Sequence, residues 1–304
     1  MKKIRAAVIG TGYLGQYHAE KYAARPDVEL VAVVDPDCGR ASAVADKCGT
    51  SACGSHAELL GRVDAVSIVT PTPTHFDIGR DFLSHGADVL MEKPVTVSLE
   101  EADTLIGLAA RKGLILQVGH LERFNPAVKA LSAAVAAPFY IEARRMSVFK
   151  PRAADTSVVL DLMIHDLDIV SSLVKSKVKS ISATGTRLIT DKPDLASARI
   201  TYENGAVADI TASRLALADD RKMSVFSRDA WFYVDFAERI LKAVKPGNPR
   251  WETTVAGQSF EKADALAEEI AAFVESIKTR KPPLVTGEVA REALASALSV
   301  DGMI

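Results

Sequence analysis

Apolar and polar positions are arranged differently in the two parts of this chain. Up to about residue 120, predominantly apolar runs at 4–9, 30–34, 65–69, 88–91 and 114–118 alternate with stretches of helical periodicity at 16–24, 37–47, 76–84 and 99–111. Short runs with at most one polar residue read as strands buried on both faces, and their alternation with helices predicts a parallel, doubly wound sheet. After that point the pattern changes. Residues 158–174 read as a helix, whereas 196–202 and 206–213 place Ala196, Ala198, Ile200, Tyr202, Ala206, Ala208, Ile210 and Ala212 on one face and mostly polar residues on the other. Asn204-Gly205 between them is a type I′ hairpin signal, and 178–187 and 223–236 read as further strands with a turn near Arg228-Asp229. A helix over 262–278 stops before Pro282-Pro283, and Thr286 is placed to cap a last helix through Ala297. The expected fold class is therefore α/β. A doubly wound domain over 1–120 precedes an α+β domain over 121–304 with a largely antiparallel sheet and one helix-covered face.

The first strand runs into Gly10-Thr11-Gly12-Tyr13-Leu14-Gly15 and then a helix. That strand, tight turn and helix start suit a dinucleotide pyrophosphate. Gly10 allows the turn, Gly12 lets the backbone approach the phosphates, Gly15 lets helix pack on strand, and the helix N-terminus attracts the anion. The second strand ends in Asp35, twenty residues after Gly15, where a carboxylate meets the adenosine ribose. Its charge repels a 2′-phosphate and so favours NAD, although nearby Arg40 keeps NADP possible. Thr70-Pro71-Thr72-Pro73-Thr74-His75, Glu92-Lys93 and Gly119-His120 also fall at strand ends, which predicts one crevice there, with His75 lining the cofactor.

Composition narrows the setting. The formal charge is −2 with 25% charged residues, so no global field points to nucleic acid or membrane. No apolar run reaches transmembrane length and Met-Lys-Lys-Ile leads straight into the first strand, which predicts a cytoplasmic protein. Cys38, Cys48 and Cys53 match neither a C-x-x-C nor a zinc spacing and read as reduced structural thiols.

Three groups carry candidate chemistry. Lys93, held at a strand tip by Pro94, can donate to a substrate hydroxyl and stabilise alkoxide charge, or can simply pair with Glu92. Asp161, His165 and Asp168 fall at i, i+4 and i+7 of the 158–174 helix. A histidine held by carboxylates suits a general base for an alcohol proton. A plain polar face and a shared cation are the alternatives, with catalysis favoured and no metal expected. Between His120 and Arg152 lie Arg123, Lys129, Arg144, Arg145, Lys150 and Arg152 against only Glu122 and Glu142. Such a basic stretch suits a phosphate or carboxylate substrate, or is a solvated strand.

The glycine loop, Thr70 to His75, Glu92-Lys93-Pro94, Gly119-His120 with Arg123-Phe124, and Asp161 with His165-Asp166 occur in the order that resembles the Gfo/Idh/MocA oxidoreductases. The resemblance covers nearly the whole chain, including Thr286-Gly287-Glu288. It implies a Rossmann domain, a second domain with an open sheet that forms dimers or tetramers, and pyridine-nucleotide oxidation of a sugar or cyclitol hydroxyl. By position it makes Lys93 the residue that orients the hydroxyl, His165 the acid/base and Asp161 its assistant. Gly10, Gly12, Tyr13, Leu14, Gly15, Asp35, Thr70, Pro71, His75 and Glu92 fall to the cofactor. His120, Arg123, Asn125, Arg144, Arg152 and Asp168 fall to the substrate. Gly119-His120 with Arg123 to Pro126, and the segment 161–166, are most similar to the branch that oxidises the 3-hydroxyl of UDP-linked N-acetylamino sugars. A free sugar or cyclitol, or a dinucleotide sensor without turnover, are the rival expectations. Thr156-Ser157-Val158-Val159 stands where many members carry a double glycine.

Overall fold

The computed structural model describes residues 3–151, 154–248 and 252–304. Two compact units result, Met1–Leu121 with Asp264–Arg291, and Glu122–Ala263 with Glu292–Ile304.

The first unit opens with β1 (Ile4–Ile9), α1 (Tyr13–Ala23), β2 (Val28–Val34), α2 (Cys38–Cys48) and β3 (Ser51–Cys53). It continues with β4 (Ala65–Ile68), α3 (His75–Ser84), β5 (Asp88–Glu92), α4 (Leu99–Lys112) and β6 (Leu116–Gly119). The six strands are all parallel, in the order β3-β2-β1-β4-β5-β6. In this doubly wound order the winding reverses between β1 and β4, and ligands bind outside the carboxyl ends of the strands at that point. The apolar runs are buried as expected, including every residue of β4 and β6. β3 was not legible, because its three residues are polar or small and two are exposed. Helix ends follow local chemistry. Ser98 accepts a hydrogen bond from the Glu101 amide at the start of α4, acidic and basic residues occupy its first and last turns, and Gly113 closes it at φ +63°.

The second unit contains α5 (Pro126–Ala134), β7 (Tyr140–Met146), α6 (Ile164–Val174), β8 (Val178–Thr186), β9 (Leu195–Tyr202) and β10 (Val207–Ser213). β11 (Asp220–Phe226), β12 (Trp231–Asp235), β13 (Ile240–Pro246) and β14 (Thr253–Ser259) follow. They form one sheet in the order β14-β13-β12-β11-β7-β10-β9-β8, antiparallel except for the β7–β10 pair. The alternating residues of β9 and β10 face the core as expected, packed with Val159, Met163 and Leu167. The hairpin exists but is not a two-residue type I′ turn. Thr201 pairs with Val207, the Gly205 amide donates to the Tyr202 carbonyl, and Gly205 has positive φ while Asn204 does not. The loop is the three-residue kind that ends in a left-handed glycine.

α7 (Ala265–Thr279) and α8 (Gly287–Asp301) complete the chain. The expectation that 121–304 forms a single domain is corrected by α7, whose Ile270, Phe273, Val274 and Ile277 join the first unit's core beside Ala6, Val8, Tyr22, Leu90 and Ile115. A stripe at helical spacing tells that a face is buried, not which core receives it. Thr286 Oγ1 accepts from the Val289 amide, so the predicted cap holds, and α8 runs past Ala297 to Asp301. Among the described residues no helix is long and apolar enough to cross a membrane.

Candidate active site

In the first unit the glycine turn is forced by close approach. A Cβ on Gly10, at φ +93°, would lie 2.4 Å from the Val69 carbonyl oxygen, and one on Gly15 would lie 1.9 Å from that of Gly10. Gly12 differs, since a Cβ there would meet nothing within 4 Å. It caps α1 without a side-chain hydrogen bond and the first turn carries no acidic residue. Open space over a glycine at an uncapped helix start is what a pyrophosphate requires, so these residues fit a dinucleotide. Tyr13 and Leu14 are exposed beside it.

Asp35 directly follows β2 and is 4% exposed. One carboxylate oxygen accepts from the Thr11 amide at 2.9 Å and its hydroxyl at 3.0 Å, and the other from the Asp37 amide at 3.0 Å and Arg40 at 2.9 Å. Burial works against the charge, but these donors outweigh it and bring the pKa down. Thr70 accepts a hydrogen bond from the Thr74 hydroxyl, and Pro71 precedes the short helix Thr72–Thr74. His75 is buried, with Nδ1 3.0 Å from the Pro94 carbonyl and Nε2 2.9 Å from that of Thr70, so the ring ties the end of β4 to the turn after β5. Burial lowers its pKa, outweighing the two carbonyl contacts, which favour the charged ring.

Glu92 ends β5, and Lys93 follows with a cis peptide to Pro94. The Glu92 carboxylate accepts from the Lys93 amide at 3.2 Å and from His18 Nε2 at 3.2 Å. Burial pushes its pKa up, but His18 and Lys93 more than offset this, and the net direction is down. Gly119 leaves it room, since a Cβ there would sit 3.0 Å from the Glu92 carboxyl carbon. His120, just past β6, is buried.

In the second unit Asp161 and His165 are both half-buried, on one continuous helical segment. Its first turn, Val159–Met163, is a π-helix that passes into α6 at Ile164. Single π turns concentrate at functional sites, and the wider turn changes how Asp161 is aimed relative to His165 compared with an α-helix. Asp168 is 1% exposed and accepts from Arg123 at 3.5 Å. Asn125 is spent on structure. Its Oδ1 accepts from the Ala127 amide to cap α5, while its Nδ2 donates to the Phe236 carbonyl at 3.2 Å. Arg144 points to the outer face of β7 and pairs with Asp220, and Arg152 lies outside the described residues.

Arg145, counted from the sequence only as part of the basic stretch for a substrate anion or a solvated strand, is instead spent on buried carboxylates of the chain itself. It is buried, donates to both oxygens of Asp166 at 2.9 Å and to Glu122 at 2.8 Å, and lies over the Phe236 ring. Burial opposes its charge, but the two carboxylates prevail and raise its pKa. The signal was available in the period of two, which puts Arg145 on the same face as Ile141 and Ala143.

Residues 4–120 match the family described as "Oxidoreductase family, NAD-binding Rossmann fold", and 128–233 match the "GFO/IDH/MocA C-terminal domain". Over 99% of its length the chain is 41% identical to the UDP-N-acetylglucosamine 3-dehydrogenase of Acidithiobacillus ferrooxidans, of which it covers 97%. The chain belongs to the Gfo/Idh/MocA oxidoreductases. It is accordingly an NAD(P)-dependent enzyme acting on CH–OH groups. A solved structure of the Acidithiobacillus enzyme superimposes with a TM-score of 0.93 at 40% identity, covering 100% of this chain and 98% of that one. The scyllo-inositol 2-dehydrogenase (NAD(+)) of Bacillus subtilis is 29% identical over 93% of this chain and 89% of its own.

Proposed function

We propose that this enzyme oxidises the 3-hydroxyl of a UDP-linked N-acetylamino sugar, with NAD+ as acceptor. The observation that carries the reading is the full-length likeness to the Acidithiobacillus enzyme, at higher identity than the Bacillus inositol dehydrogenase. When bound, the nicotinamide takes up the hydride from the carbinol carbon. The chain's own groups do the rest. Gly12 and the start of α1 bind the pyrophosphate, and Asp35 receives the adenosine ribose. The Asp35 carboxylate repels a 2′-phosphate, and Arg40, the cation near it, is engaged on that carboxylate. The Lys93 ammonium donates to the substrate hydroxyl and stabilises the developing alkoxide, while His165 takes the hydroxyl proton and Asp161 orients the imidazole. Arg123, steadied by Asp168, meets substrate phosphate, and His120 lines the sugar site.

The test is the absorbance of reduced nicotinamide with the purified protein and NAD+ or NADP+, offered UDP-N-acetylglucosamine, free N-acetylglucosamine and myo-inositol in turn. The reading expects turnover with the nucleotide sugar and a preference for NAD+. Faster turnover of a free sugar or inositol, or none with any nucleotide sugar, overturns it.

A further inference from the structure

Glu269 on α7 is fully buried in the first unit, and neither carboxylate oxygen has a hydrogen-bond partner. One ligand atom each of Glu269, Glu92 and His18 lie within 4.8 Å of one another. From α1 the cluster is faced by His18, 1% exposed, and by Tyr22, whose hydroxyl is engaged with Ser67 on β4. β5 contributes Glu92, followed by Lys93. β6 contributes the uncharged Gln117, which donates to the Glu269 backbone carbonyl and offers the carboxylate nothing.

An ionised carboxylate out of water requires a cation or several donors. Glu92 has both, through His18, the Lys93 amide and the nearby Lys93 charge. Glu269 has neither, and its nearest charged neighbour is another carboxylate. We infer that His18, Glu92 and Glu269 form one proton-sharing cluster at the Glu92-Lys93-Pro94 turn, in which Glu269 carries a proton and Glu92 the negative charge. Glu269 is then a positioning residue for Lys93. Neutral, it leaves Glu92 as the one anion that holds the lysine backbone. Ionised, it sets two like charges against each other at the lysine turn. The link to turnover rests on the role proposed above for Lys93. The cluster itself does not.

Burial and the Glu92 charge both push the Glu269 pKa well above its usual value. A folded-state pKa raised in this way contributes stability that is full below the unfolded value and is lost as pH climbs toward the folded one. Glu269→Gln mimics the protonated form and does not titrate. The experiment uses the full chain and reads three things. Infrared spectra at neutral pH are expected to show the carbonyl band of a protonated carboxyl that shifts on 13C-glutamate labelling and is missing from Glu269→Gln. The melting temperature of the wild type is expected to fall steadily behind that of Glu269→Gln as pH climbs above the usual carboxylate range. In kcat, with KM little changed, the wild type is expected to show an alkaline decline that Glu269→Gln displaces.

Absence of the band, or parallel melting curves, overturns the cluster. So does a stoichiometric divalent cation that metal analysis finds in the wild type and not in Glu269→Gln. A band and diverging curves with an unmoved pH profile uphold the cluster and overturn the positioning role. If Glu269→Gln does not fold, the labelled band in the wild type alone decides, its presence for and its absence against. Lack of turnover on any sugar leaves the first two readouts intact, so failure of the substrate assignment is told apart from failure of this one.

Discussion

Replacing Asp166 by Asn tests the buried pair that anchors the start of α6. The amide keeps the shape of the carboxylate but removes the charge facing Arg145, which now donates through two nitrogens at 2.9 Å and is 2% exposed. Breaking a buried ion pair from one side costs about 3–5 kcal/mol, because the remaining charge is stranded away from water. Arg145 retains Glu122 at 2.8 Å and the Phe236 ring, which places the expected loss near the lower bound, about 3 kcal/mol. Urea unfolding followed by near-UV circular dichroism reads it. The triple variant Glu122→Gln, Arg145→Met, Asp166→Leu removes every charge of the buried cluster and is expected to lose less than Asp166→Asn alone, a non-additivity typical of residues in contact. A loss below about 1 kcal/mol for Asp166→Asn, the scale of an exposed pair, would refute the reasoning. Because Asp166 adjoins His165, turnover is expected to fall in this variant even at temperatures where it stays folded.

Lys93→Ala and His165→Ala are each expected to slow turnover by orders of magnitude while the dissociation constant for NAD+, read by fluorescence titration, barely moves; near wild-type rates in either removes that residue from the mechanism. Asp35→Asn loses an acceptor whose pKa is depressed in the folded state. Its melting-temperature deficit is expected in full above the usual carboxylate value of 3.8 and to shrink as pH falls through the depressed one, and a deficit that grows in acid contradicts the assignment.

The first unit was largely legible because its signals are local. β1, β4 and β5 are short, mostly apolar runs, Gly10 and Gly15 stand at backbone positions that steric contact dictates, and Gly12 completes the glycine spacing of a dinucleotide turn. β13 and β14 were not, since β14 is exposed at every residue and carries no apolar face. The π turn at Val159–Met163 leaves no trace in composition, because widening a turn changes bonding and not residue type. Asp161, His165 and Lys93 could be singled out as chemistry. His18, by contrast, carries no signal in the sequence, because its contact with Glu92 spans distant positions. Asn125 was given to the substrate by the resemblance, and only the hydrogen bonds reveal it as a helix cap.

The return of α7 to the first unit has a consequence for synthesis. The nucleotide-binding half is not a contiguous stretch that can finish folding as it leaves the ribosome. Until the ribosome has released residues beyond 279, Tyr22, Leu90 and Ile115 lack Phe273 and its neighbours as cover, and each large apolar side chain left in water forfeits about 1.5–3 kcal/mol. The intervening unit must therefore emerge as an insertion within an unfinished one, and a fragment ending near residue 121 is expected to be sticky and prone to aggregation.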